Sequence, residues 1–216
     1  MADGGMADGG PADQGERWLV DRLEHWPVTG SQELVQGKLL RVRRDTVRMP
    51  DGAVAARELV EHPGAVAILA LDEAERVLLI RQYRHPVGRE LWEIPAGLRD
   101  VSGEALVDTA RRELLEETGH TAREWHALVD SFASPGISSE RIRIFLARGL
   151  AAAESGYERQ GEEKFLRTAW VPLAEAVQAA LAGNLHNGAT IQGILAAQVA
   201  GAQGFSGLRA ADAPET

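Results

Sequence analysis

Between Gly97 and Gly119 the chain reads Gly-Leu-Arg-Asp-Val-Ser-Gly-Glu-Ala-Leu-Val-Asp-Thr-Ala-Arg-Arg-Glu-Leu-Leu-Glu-Glu-Thr-Gly, which places Glu104, Glu113, Glu116 and Glu117 in or beside one candidate helix. Ser102 and Gly103 stand where N-terminal caps belong, Ala, Leu, Arg and Glu fill the middle, and Gly119 suits a left-handed C-terminal cap. A helix is expected over 104–118. At about 100° per residue, with Leu106 set to zero, Ala110 falls near 40° and Leu114 near 80°, while Glu113 falls near 340° and Glu117 near 20°. Both carboxylates therefore lie along the apolar stripe. An ordinary solvated acidic helix would turn them away from it.

Glu113 and Glu117 are spaced i,i+4, where like charges repel, and partial burial without a partner costs each carboxylate several kcal/mol. A divalent cation removes both costs. Arg112 and Glu116 lie near 240° and 280°, also i,i+4, and are expected to pair on the flank and set the helix's rotation.

Gly97, Glu104, Arg112, Glu113, Leu114, Glu116, Glu117 and Gly119 resemble the signature of the Nudix hydrolases, Gly-x5-Glu-x7-Arg-Glu-U-x-Glu-Glu-x-Gly-U with U apolar. Two positions depart from it. Six residues, not five, separate Gly97 from Glu104, and His120 takes the last apolar position. The extra residue falls in the loop before the helix, where an insertion costs little.

The resemblance is narrower than the family. Arg57-Glu58 before His62-Pro63-Gly64-Ala65-Val66, then Arg81-Gln82-Tyr83-Arg84, Glu93-Ile94-Pro95-Ala96-Gly97 and Ser134-Pro135-Gly136 look like the ADP-ribose pyrophosphatases. The stretch from Asp100 to Glu104 is most similar to their actinobacterial branch. The resemblance implies an α/β/α sandwich with a mixed sheet, plus an N-terminal antiparallel sheet exchanged between the subunits of a homodimer. It further implies Mg²⁺, with Mn²⁺ as a substitute, held by Glu113, Glu117 and the Ala96 carbonyl, with Glu116 an additional ligand or catalytic carboxylate.

In that subgroup the base comes from an acidic loop well after the signature. Carried over, this is Gly161-Glu162-Glu163: Glu163 is expected as metal ligand or base, with Glu162 the competing choice. Arg57 and Arg84 are the candidate diphosphate contacts, because a guanidinium grips two phosphate oxygens at once, and Arg57 acts from the partner subunit. Glu140 and Ser134 are further candidate substrate contacts. The expected reaction is metal-dependent hydrolysis of ADP-ribose to AMP and ribose 5-phosphate. Another nucleoside diphosphate sugar or a dinucleotide is the alternative substrate, and a non-catalytic nucleotide sensor the alternative function.

The rest of the chain fits a nucleotide hydrolase. Its 216 residues, 44% hydrophobic and 25% charged, suffice for one sizeable domain with a small extra sheet. A net charge of −9 argues against a nucleic-acid-binding surface. No apolar run approaches the length of a membrane span and no secretory leader is visible. The absence of cysteine fits a cytoplasmic enzyme.

The expected organisation is a disordered tail over 1–16, an N-terminal dimerising sheet over 17–62, a hydrolase domain over 63–203 and a flexible tail over 204–216. Within it, Leu39–Arg48 and Ala53–Glu61 should form a hairpin about Pro50-Asp51-Gly52. Strands are expected at 66–71, 77–83, 92–95, 126–132, 142–147 and 165–172, and helices at 173–182 and 190–199.

Overall fold

In the computed structural model, residues 19–153 and 164–215 are described. The tail expected to be disordered over 1–16 lies outside them, as do Glu162 and Glu163.

The fold begins with three antiparallel strands, β1 (Val28–Gln36), β2 (Arg41–Arg48) and β3 (Val54–Glu61), in the order β1-β2-β3. The hairpin between β2 and β3 turns where expected: Gly52 adopts φ 86° and its N–H donates to the Met49 carbonyl at 2.9 Å, a conformation glycine reaches without strain. Strand β1 has no counterpart in the sequence reading. Every one of its nine residues is exposed, so no apolar alternation marks it. The sheet meets the rest of the chain where the Val60 N–H donates to the Ile137 carbonyl at 2.8 Å and the Ser139 N–H to the Val60 carbonyl at 3.0 Å.

The central sheet has the order β11-β8-β9-β4-β7, built from β4 (Ala65–Ala70), β7 (Ala96–Leu98), β8 (His120–Phe132), β9 (Arg141–Ala152) and β11 (Arg209–Ala210). It is mixed: β4 runs parallel to β9, and the other pairs are antiparallel. A smaller sheet, β10-β5-β6, joins β10 (Arg167–Pro172), β5 (Arg76–Arg84) and β6 (Arg89–Glu93).

Strand β4 is an uninterrupted apolar run because both its faces are covered. Val66, Ile68 and Ala70 pack with Ala110 and Leu114 of α1 (Leu106–Thr118), together with Trp125 and Phe145. Ala67 and Leu69 pack on the opposite face with Ile144 and Leu146, under Leu173 and Ala176 of α2 (Leu173–Leu181) and Ile194 and Ala197 of α3 (Gly188–Gly201). This is the α/β/α layering the sequence implied. Leu114 is completely buried, and its truncation to alanine should cost about 2–5 kcal/mol.

Several boundaries move. The strand expected over 92–95 is split into β6 and β7, because Pro95 has no N–H to offer a ladder; its carbonyl instead accepts from the Ile68 N–H at 2.8 Å. Helix α1 starts two residues later than expected, with Ala105 at the N-cap and no side-chain cap. Ser102 and Gly103 therefore lie in a turn before it, closed by the Glu104 N–H on the Val101 carbonyl at 3.3 Å. The expected C-terminal cap is present: Gly119 adopts φ 69° and donates to the Leu115 carbonyl.

The end expected to fray from Gly204 instead supplies β11, paired with His126 and Ala127 of β8. Arg143, buried on β9, grips Asp130 through Nε at 2.7 Å and Nη2 at 2.8 Å, and its Nη1 donates to the Ala213 carbonyl. Burial pushes the Asp130 carboxyl up, but Arg143 and Arg209 more than offset this and hold it below the usual carboxylate range. Among the described residues no helix is long and apolar enough to cross a membrane.

Candidate active site

Helix α1 aims its carboxylates at strand β7. Glu117 is buried among the residues beneath the helix, and its Oε2 accepts from the Ala96 N–H at 3.0 Å. Glu113 stands against Gly97 so closely that an added Cβ there would lie 2.0 Å from the Glu113 Cδ. Glycine at position 97 is thus a matter of space: a methyl group and the Glu113 carboxylate compete for one volume.

Arg112 organises the acidic set. Its Nη1 donates to Glu113 at 2.7 Å and to Glu116 at 3.2 Å, and its Nη2 to Glu104 at 3.3 Å. The pairing of Arg112 with Glu116 on the flank is therefore one part of a larger cluster, and Glu113, expected to face a cation together with Glu117, also shares the guanidinium. The hydrogen bond to Arg112, helped by the Thr109 hydroxyl, lowers the Glu104 pKa. The Arg112 pKa is raised further above its ordinary value, chiefly by Glu104 and then by Glu113 against the cost of burial. Glu104 lies just before α1, which gives the one-residue insertion a consequence: the loop is longer, yet its glutamate still reaches Arg112.

The segment that leads into the strand under these carboxylates is anchored to α3. The Ile94 N–H donates to the buried Thr190 hydroxyl at 3.0 Å, and Thr190 is in turn held by Asn187, the N-cap of α3. Beside the strand opens a cavity of about 590 Å³, whose wall includes Arg84, Glu93, Ala96, Gly97, His62 and Glu140.

Arg84 reaches this cavity in a fixed pose. Its Nε and Nη2 donate to the two oxygens of Glu93 at 3.0 and 2.7 Å, while Gln82 also donates to Glu93. Glu93 is 1% exposed. It belongs to the Glu-Ile-Pro-Ala-Gly stretch, but the sequence reading gave it no part in the site. A charged residue directly before the apolar run Ile94-Pro95-Ala96 was the available signal, since a carboxylate drawn into such a run needs a partner.

Glu140 lines the cavity with its Oε1 3.7 Å from His62 Nδ1. Ser134 does not line it; the Ser134 carbonyl closes the preceding loop by accepting from Ile137 and Ser138, and its neighbour Ala133 forms the wall. Arg57 lies on β3, exposed, with Nη1 donating to the Ala56 carbonyl at 3.0 Å, and is not part of the wall. The structure thus brings together Arg84, Glu140, Ala96, Glu113, Glu116 and Glu117, and leaves Arg57 and Ser134 apart from them within one subunit.

The donor set suits a hard divalent cation: carboxylate and backbone carbonyl oxygens, with no sulfur. Among the described residues no three His, Asp or Glu side chains form a ready-made metal cage. A cation would therefore compete with Arg112 for the Glu113 carboxylate.

Comparison with known proteins agrees with this geometry. Residues 61–191 match the Nudix domain, and residues 26–60 match the nucleoside diphosphate sugar hydrolase N-terminal domain. The chain is 46% identical over 166 residues to the ADP-ribose pyrophosphatase of Mycobacterium tuberculosis, covering 77% of this chain and 80% of that protein. It is 36% identical over 147 residues to the ADP-ribose pyrophosphatase of Bacillus subtilis, covering 68% and 78% respectively. The fold superposes on a crystal structure of an ADP compounds hydrolase with a TM-score of 0.71 at 20% identity, covering 86% of this chain and 99% of that one. Hydrolases of this family generally need a divalent metal, which the oxygen-only donor set accommodates. With its carboxylate helix seated on a glycine of β7 and a Nudix match across the layers that hold it, the chain belongs to the Nudix hydrolase family.

Proposed function

We propose that this protein hydrolyses the diphosphate bond of ADP-ribose, with water, to AMP and ribose 5-phosphate, using Mg²⁺ or, in its place, Mn²⁺. The observation that carries this reading is that one cavity presents a fixed guanidinium, Arg84, and is floored by Ala96 and Gly97, against which Glu113 and Glu117 pack. Phosphate grip and cation carboxylates then serve the same substrate. The choice of ADP-ribose is supported by the names of the two bacterial relatives.

Glu113, Glu117 and the Ala96 carbonyl would hold the cation, with Glu116 beside them. A bound divalent cation supplies charge neutralisation on the diphosphate and makes water more acidic. The chain's own part is positioning. Glu93 holds Arg84 at the cavity wall, where the guanidinium would take phosphate oxygens, and because Glu93 is buried the guanidinium loses little freedom on binding. Glu163, or Glu162 in its place, would accept the proton of the attacking water, and Glu140 and Ser134 would contact the substrate's sugar side. Arg57 would reach the diphosphate from the partner subunit of a homodimer. Exposed Val28, Leu34, Val35 and Val54 on the N-terminal sheet support such pairing, since they leave an apolar surface in the isolated chain. The absence of cysteine from the sequence suits action in the cytoplasm.

A second reading has its own support. The match of residues 26–60 to a nucleoside diphosphate sugar hydrolase domain favours a sugar nucleotide as substrate. A nucleotide sensor without catalysis is disfavoured because the carboxylate set is complete. A panel of ADP-ribose, sugar nucleotides and dinucleotides, assayed with Mg²⁺ and with chelator, decides. ADP-ribose should give the highest kcat/KM, and chelator should abolish turnover. Turnover untouched by chelator would remove the metal mechanism, and a sugar nucleotide surpassing ADP-ribose by a large factor would replace the substrate.

Arg84→Lys should raise KM about tenfold or more with a smaller change in kcat, since a lysine cannot bridge Glu93 and phosphate with a planar fork and each hydrogen bond between charged groups is worth ~1.5–3 kcal/mol. An unchanged KM would take Arg84 out of the substrate site.

A further inference from the structure

The last described residues reach back to the segment that follows the signature glycine of β7. After α3, β11 lies against β8, Arg209 pairs with Asp130 at 2.7 Å, and the Ala213 carbonyl is taken by buried Arg143. Beyond this clamp Glu215 sits between an arginine just after β7 and the first residue of β9, 3.1 Å from Arg99 Nη1 and 3.9 Å from Arg141 Nη1.

Those two arginines flank the start of β4. The Arg99 N–H donates to the Gly64 carbonyl at 3.1 Å, and its side chain lies over Gly64, where an added Cβ would meet the Arg141 carbonyl at 2.8 Å and Arg99 Cδ at 3.1 Å. Each tied residue adjoins a residue of the cavity wall: Arg99 follows Leu98, Gly64 precedes Ala65, and Arg141 lies between Glu140 and Ile142. The alternation of β9 puts Arg143, on the tail's side, with Phe145 on the face that meets α1, and Ile142 and Ile144 on the cavity's face. The tail therefore braces, from behind, the strand ends that form the site.

We propose that the C-terminal segment is a strap for the active site, and that Glu215 is a positioning residue which, through Arg99, holds the loop after β7 so that Gly97 stays seated against Glu113. The proposal rests on the metal-site reading for its consequence in activity and on the contacts alone for its consequence in loop order. Arg99 and Glu215 form a partly buried pair, with 28% and 15% of their side chains exposed, and a single ion pair of this kind contributes modestly to global stability. Its effect is local: Arg99 stands two residues from Gly97, and small displacements at such a site are felt in ligand geometry.

The test is Glu215→Ala in the full chain, read by amide hydrogen exchange, Mn²⁺ binding and steady-state kinetics. Exchange should accelerate across 97–105 and remain at the wild-type rate across 190–198. The Mn²⁺ dissociation constant should rise about threefold to tenfold, toward the low end of the losses seen when outer partners of metal ligands are removed, and kcat should fall with it while KM moves little. Reversing the pair, Arg99→Glu with Glu215→Arg, should restore most of the exchange protection and the Mn²⁺ affinity. Wild-type exchange over 97–105 in Glu215→Ala would overturn the strap, and so would equal acceleration over 190–198, which marks global loosening. If the wild-type protein bound no Mn²⁺, the metal-site reading would fall, and the exchange comparison would still decide for or against the strap.

Discussion

Glu117→Gln is expected to remove nearly all turnover while leaving the fold intact. Glutamine keeps an oxygen that can accept from the Ala96 N–H, the bond that Glu117 makes at 3.0 Å, so the buried amide is not left without a partner. What it removes is the negative charge. Several kcal/mol of charge stabilisation rest on a catalytic divalent ion, and each ~1.4 kcal/mol is a factor of ten in rate, so kcat should fall by about 100-fold or more. The measurement is kcat over a Mg²⁺ titration beside a thermal melt. Full activity in Glu117→Gln at ordinary Mg²⁺ would exclude Glu117 from the site.

Gly97→Ala should separate activity from stability in a different way. The added Cβ would lie 2.0 Å from Glu113 Cδ and 2.1 Å from its Oε1, so one of them must move. The carboxylate end of a flexible side chain yields more cheaply than a strand with paired neighbours, and β7 is hydrogen-bonded to β4 from Ala65 to Ala67. Glu113 is therefore expected to swing away. Melting should shift only modestly, by less than the ~1–3 kcal/mol typical of overpacked cores, whereas activity should fall about tenfold to 100-fold, the range found when metal-site geometry is disturbed. Retained activity would mean that the carboxylate's seat on Gly97 is dispensable. A collapse in melting temperature would mean that the strand, not the side chain, had moved.

These two substitutions show what was legible in the sequence. Helical bearings alone placed Glu113 and Glu117 with Leu106, Ala110 and Leu114 on one stripe, because the 3.6-residue period is local and survives any tertiary context. The structure puts that stripe on the central sheet, with Ala110 and Leu114 buried against β4. The apolar run of β4 was equally plain, and its meaning, a strand covered on both faces, follows from its composition. Strand β1 was not legible, since nine exposed residues carry no alternation of burial. Nor was β11, whose two residues owe their place to β8 and to the Arg209 pair with Asp130.

The site divides along the same line. Sequence could propose Arg84 as a phosphate contact, but only packing shows that Glu93, nine residues later and 1% exposed, holds it bidentately. Sequence paired Arg112 with Glu116 by spacing; the folded chain adds Glu113 beside it and Glu104 from outside the helix.

By itself, then, the sequence determined the carboxylate helix, the layered α/β class and the glycine cap at position 119, all of which follow from short-range periodicity and backbone sterics. The tertiary structure alone decided which charges meet. Glu117 with Ala96, Glu93 with Arg84 and Glu215 with Arg99 and Arg141 are joined across different elements. Such contacts exist only after burial has fixed how strands and helices stack, and no local pattern encodes that distance.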